Sequence, residues 1–232
     1  MNTMRHYPQP IRPSNPSALE MAIYNFELKA KKHYDAKLKN SSDKAQVAKM
    51  QRDFEHLQKE KQRMIAAATA RDILNEYREY TNAATSEELE QEEHHPSNKL
   101  ANYLAAAGEP KPTPDHEAHH IVPGKGRYKQ SDILAARLTL HAWNIGINDP
   151  RNGVWLINFK KNNPDDWATS ESVPHRNLHR HNYEKWVGET LRVSLSQRDT
   201  ENKLRMLKFK IQTNTMPPSV MAPKDATWNG KS

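Results

Sequence analysis

The chain contains no cysteine, which excludes disulfide cross-links and thiolate metal sites, so any metal ion must rest on histidine, carboxylate or carbonyl groups. Apolar residues are also scarce, at 35% of 232 residues, too few for a single core to use the whole length. One or two domains fit. No apolar run approaches the roughly 20 residues that cross a bilayer, and the polar, proline-rich start from Met1 to Pro16 has no signal-peptide apolar segment. Membrane insertion is therefore not expected. A cytosolic protein is, or one exported by a route that reads no cleavable signal.

Acidic residues are outnumbered: Lys and Arg total 35 against 28 Asp and Glu, giving a formal charge of +7 and a pI near 9.4. This favours an anionic partner, with nucleic acid the first candidate. Histidine is abundant and clustered, since seven of the twelve fall between His116 and His181. The most informative stretch is Ala118-His119-His120-Ile121-Val122-Pro123. On an extended segment adjacent imidazoles point to opposite sides, so one can hold a metal ion while its neighbour reaches a water on the substrate side, as in a nuclease. His175 and His179 stand at the i, i+4 spacing that puts two ligands on one helical face, roughly 6 Å apart.

Five regions are expected along the chain: a flexible start (1–16), a long helical hairpin (17–85), an acidic linker (86–96), a catalytic domain (97–210) and a flexible tail (211–232). Ser17 caps the first helix, and after Asn40-Ser41-Ser42-Asp43 a second carries Val47, Met50, Phe54, Leu57, Met64, Ile65, Ile73, Leu74, Tyr77 and Tyr80 at near-heptad spacing. Such a stripe either closes on the other arm of the hairpin or binds a partner. Ser86 to Glu93 repels itself and reads as solvated linker, with His94-His95-Pro96 a decoy pair inside it. Ser97 caps a helix that Gly108 ends. Pro110, Pro112 and Pro114 impose an extended approach to the histidine pair, and a helix follows from about Ser131 to Trp143. Asn148-Asp149-Pro150-Arg151-Asn152-Gly153 reads as a turn in which Asn-Gly takes positive φ, Val154-Trp155-Leu156-Ile157 as a strand, and Leu178 through Leu191 toward Leu207 as a helix.

The histidine pair, Ile145-Gly146-Ile147-Asn148 leading into Asn152-Gly153-Val154-Trp155-Leu156, and His175-x-x-Leu178-His179 together resemble the AHH clade of the HNH/endonuclease VII superfamily, over 97–192. The resemblance implies an α+β, mostly α chain with a C-terminal ββα-metal (HNH-like) nuclease core behind the N-terminal α-helical hairpin. It implies that His119, His175 and His179 hold one divalent ion, Mg or Zn with Mn and Ni as further candidates, and that His120 is the general base. Spacing alone does not separate ligand from base within the pair. Asn152, the middle letter of the His-Asn-His pattern, is expected to orient His120 or to fix the loop that holds it. His181 is an alternative metal ligand or phosphate contact, and His116 and His141 are bystanders, His116 the nearer.

Lys125, Arg127 and Lys129, with Lys160 and Lys161, are candidate phosphate contacts. Nothing resembles base-specific readout. The resemblance further implies a largely non-specific endonuclease acting on DNA, with RNA left open. It also implies an antibacterial toxin or type VI secretion effector made in the bacterial cytoplasm and delivered into a target cell. The partners would be a cognate immunity protein and a secretion component that binds the N-terminal helices. The alternative is a nucleic-acid-binding or adaptor protein whose histidine site is structural.

Overall fold

The computed structural model describes residues 7–38, 43–165 and 167–231. The first six positions of the expected flexible start, the expected break at Asn40, Ser41 and Ser42, and Asp166 lie outside the described residues. Among the described residues the chain is mostly helical with one two-stranded sheet, the α+β class expected. It divides into two compact units, Met1–Thr69 and Ala70–Ser232.

In the first unit, α1 (Ala18–Leu38) opens with a capping box: the Glu20 amide donates to Ser17 Oγ at 3.3 Å and the Ser17 amide to Glu20 Oε2 at 2.7 Å. It meets the early part of α2 (Lys44–Ala83) through Lys29 and Glu60, 2.7 Å apart, and through the His33 ring stacked on Phe54. The apolar stripe of α2 is only partly covered, with Val47, Phe54 and Ile65 exposed. The buried residues of α2 are Leu74, Tyr77 and Thr81, all within the second unit.

The second unit is built on β1 (His116–His120) and β2 (Gly153–Ile157), antiparallel, with His119 opposite Val154 and His120 opposite Gly153. Both faces of β2 are covered, so its sequence is a continuous apolar run and not an alternating one. Val154 and Leu156 join the main core with residues of α5 (Gln130–Ala142), α7 (His181–Leu191) and α8 (Gln197–Gln212). Ala118 and Trp155 face the other way, onto Leu100 and Leu104 of α4 (Asn98–Ala106), whose end is marked by Gly108 at φ +91°. The strands are not joined by a tight hairpin, because residues 121–152 and α5 intervene. Nor does the Asn-Gly turn use positive φ: Pro150–Asn152 is a 3₁₀ turn capped by the Asp149 side chain, and Gly153 has φ −117°.

Three expectations along the chain are corrected. Residues 86–96 are not a free linker. They begin as α3 (Ser86–Glu90), closed by a Thr85/Glu88 capping box, with Leu89 fully buried and the Glu90 carbonyl accepting from Arg137 of α5 at 2.8 Å. The expected long C-terminal helix is broken. α6 (His175–Leu178) stops where His179 turns to ψ 81°, and Arg180 Nε takes over the Asn177 carbonyl at 2.9 Å before α7 starts. The expected flexible tail instead folds back: Met216 and Val220 enter the main core, Val220 on the short helix α9 (Pro218–Met221), and Asn182 Nδ2 donates to the Ser219 carbonyl at 2.7 Å.

Candidate active site

Alternation along β1 sends Glu117 and His119 toward α6 and α7, and His120 to the opposite side. His119, His175 and His179 each offer one ring nitrogen, and these atoms all lie within 4.8 Å of one another. The cluster does not arise from one helical face as expected, since α6 ends before His179. His175 comes from the first turn of that helix and His179 from the bend after it, and their ring centroids are 5.2 Å apart.

The hydrogen bonds fix which nitrogens are free. Tyr183 is fully buried, and burial followed by the charge of Glu184 pushes its hydroxyl up, so it keeps its proton. That proton goes to the Ile121 carbonyl at 2.9 Å, because a carbonyl only accepts. The phenolic oxygen, 3.0 Å from His119 Nε2, must then accept from the ring N–H, which leaves His119 Nδ1 bare. His175 Nδ1 lies 2.7 Å from Glu117 Oε2 and donates to it, so Nε2 is the free nitrogen there. Burial lowers all three imidazoles. His119 is held well below its usual range by burial and then by His175, and His179 is lowered by the same two causes. His175 is lowered by burial against the opposing pull of Glu117. Three neutral imidazole nitrogens this close together could hold a divalent ion and would leave further coordination positions open.

His120 lies outside this set. Its Nε2 is 3.1 Å from Asn148 Oδ1, and burial, the largest cause, brings its pKa to about 4. A cleft of about 480 Å³ is lined by His119, His120, His175 and His179 together with Lys125, Arg127 and Arg176. The loop bearing Lys125 and Arg127 is tied down by Glu184, whose carboxylate accepts from the amides of Arg127, Tyr128 and Lys129 at 2.6–2.8 Å. Lys129 does not line the cleft; its Nζ is 3.9 Å from Asp132. Lys161 sits over the Phe159 ring, outside the lining, as is Lys160. His181 is also outside the three-nitrogen set, its ring 3.0 Å from Asn182 Oδ1. His116 is held between Thr113 and Thr169, and His141 is buried on α5.

Asn152 makes no contact with His120 in its hydrogen bonds. Fully buried, its side chain accepts from the Val122 amide at 2.9 Å and donates to the carbonyls of Val122 and Ile147, pinning the chain just beyond the histidine pair. It therefore fixes the loop, the second of its two expected roles, and Asn148 orients the ring. The His94-His95 pair is no decoy: His95 lines the cleft, and both rings stand 6.3 Å from that of His120. Sequence reasoning missed Glu117, Asn148, Tyr183 and Glu184. Glu117 alone carried a local signal, two residues before His119 and so on the same face of a strand.

Residues 100–211 match the model of AHH, a nuclease family of the HNH/ENDO VII superfamily with conserved AHH. That segment, just under half of the chain, is similar to the AHH family. Its Ala-His-His is Ala118-His119-His120, at the end of β1 and against the cleft. No curated protein and no solved structure matches the chain. His94 and His95, whose rings stand by that of His120, precede the matched segment.

Proposed function

We propose that this chain is a metal-dependent, largely sequence-non-specific endonuclease that cuts DNA, with His119, His175 and His179 holding one divalent ion and His120 as general base. The observation that carries this reading is the separation of roles: three neutral imidazoles share one point, while a fourth, with its own hydrogen-bond partner, faces the same cleft. A structural site has no use for that fourth ring. When bound, the ion would stabilise charge on the phosphoryl oxygens and on the departing 3′ oxygen.

The protein's own residues supply the rest. His120 donates through Nε2 to Asn148, which leaves Nδ1 to take a proton from the attacking water. Its low pKa keeps it neutral before substrate arrives, and the negative charge of a phosphodiester in the cleft favours the imidazolium that forms. Lys125, Arg127 and Arg176 line the cleft as phosphate contacts. Three nitrogen donors suit Zn or Ni in affinity, and Mg or Mn remain ions to test for turnover.

The biological reading follows from kinship: an antibacterial toxin, delivered by a secretion route such as type VI into a target cell, countered by an immunity protein. A separate first unit fits a delivery or partner-binding role. The deciding experiment incubates the protein with plasmid DNA and with RNA, with Mg²⁺, Mn²⁺, Ni²⁺ or Zn²⁺ and with chelator. Chelator-sensitive DNA cleavage is expected, reduced roughly 10²- to 10⁴-fold in His120→Ala while metal binding persists. His175→Ala and His179→Ala weaken metal binding itself. Intact DNA with every ion defeats the nuclease reading.

A further inference from the structure

Asn148 has a side chain whose orientation is settled by its neighbours. Its Nδ2 donates to Glu92 Oε1 at 2.6 Å and to the Glu93 carbonyl at 2.8 Å, so both amide protons are used. Oδ1 is thereby the atom that meets His120 Nε2 at 3.1 Å, and an oxygen that only accepts requires the imidazole proton on Nε2. Glu92 is in turn held as an acceptor from every direction. Tyr77 Oη donates to it at 2.9 Å and the Ile147 amide donates to Oε2 at 3.1 Å. The approach is close enough that a Cβ on Gly146 would overlap the Tyr77 hydroxyl and meet Glu92 Oε2 at 2.9 Å.

We infer that Glu92 is a positioning residue for the nuclease reaction: through Asn148 it sets the tautomer of His120, placing the proton on Nε2 and baring Nδ1 for the water. The inference rests on the reading of His120 as general base. It also moves the limit of the catalytic unit, because Glu92 and Tyr77 precede the residues matched by the family. An acceptor-only group is essential at this position. Glutamine there would turn an N–H₂ toward either the Ile147 amide or Asn148, and relief of the second clash flips the Asn148 amide at the cost of its bond to the Glu93 carbonyl. A flipped Asn148 donates to His120 Nε2, drives the proton to Nδ1 and removes the base.

The test uses the full chain with ¹⁵N-labelled histidine, with and without Zn²⁺, and reads the ring-nitrogen shifts of His120 at neutral pH alongside plasmid cleavage and Zn²⁺ affinity. In wild type, Nε2 is expected in the protonated range and Nδ1 in the unprotonated range. Glu92→Gln is expected to reverse these populations and to lower kcat at least roughly tenfold, and by no more than the roughly 10²- to 10⁴-fold that general-base catalysis supplies, with KM and Zn²⁺ affinity unchanged. A proton on Nδ1 in wild type overturns the inference without any variant, so a Glu92→Gln protein that fails to fold leaves it testable. Loss of cleavage in Glu92→Gln with the tautomer unchanged overturns it too, since that is what a merely structural carboxylate gives. If wild type shows the Nε2 proton yet cuts nothing with any ion, the nuclease reading fails and the tautomer assignment stands.

Discussion

His141 isolates the behaviour of an imidazole that the protein buries without using. It is 2% exposed on α5, neither ring nitrogen has a hydrogen-bond partner among the described residues, and burial followed by the charge of Arg137 brings its pKa to about 4. A histidine whose folded pKa lies below the unfolded value of about 6.5 binds more protons when unfolded. Its contribution to stability is therefore complete above the unfolded pKa and falls as pH drops toward about 4, by up to about 3 kcal/mol. His141→Leu removes the liability while keeping an apolar body of similar size. Chemical denaturation of both proteins is expected to show the variant at least as stable at pH 7.5 and increasingly more stable than wild type at pH 6, 5 and 4.5. A difference that does not change with pH contradicts the assignment. His119 and His120 are lowered by the same burial, but there the neutral form is what the chemistry requires.

At the scale of elements, residues 216–221 are part of the main core. Val220 is fully buried, Met216 is 7% exposed, and Asn182 at the start of α7 also accepts from the Asp225 amide at 3.2 Å. Val220→Ala deletes two buried methyl groups and is expected to cost about 2 kcal/mol, read as a lower denaturation midpoint at unchanged m-value; an unchanged midpoint would mean that α9 is not docked in solution. This docking was not legible in a proline-rich tail, because Met216 and Val220 have no periodic neighbours and find their partners across the core. The break after Leu178 was equally hidden, with no proline or glycine there and the decisive bond coming from Arg180 to Asn177. By contrast α4, α5 and β2 were legible, since their apolar patterns and the positive-φ Gly108 are local signals, and β1 through the prolines that precede it. The site divides along the same line. His119, His120, His175 and His179 announce themselves by spacing, whereas Glu92 sits in an acidic run whose burial depends on Tyr77 and Asn148, residues far along the chain.

Across the whole molecule the positive charge is uneven. Thirteen of the 35 Lys and Arg but only seven of the 28 Asp and Glu fall in Met1–Thr69, so that unit carries +6 of the net +7 and the unit with the histidine cleft is close to neutral. A long-range field from that second unit therefore contributes little to holding a polyanion, and under the proposed function the few cations that line the cleft act as individual phosphate contacts. In the His120→Ala background, where binding is measured without cutting, each such contact contributes about 0.9 to the slope of log affinity against log salt on duplex DNA. Replacing Lys125 and Arg127 by alanine is expected to lower the slope by about 1.8. Lys129→Ala, which removes a charge next to Asp132 and outside the lining, leaves it unchanged. Equal effects from all three residues would show that DNA responds to total charge and not to the cleft, and the phosphate path would then have to be sought along the basic helices of the first unit.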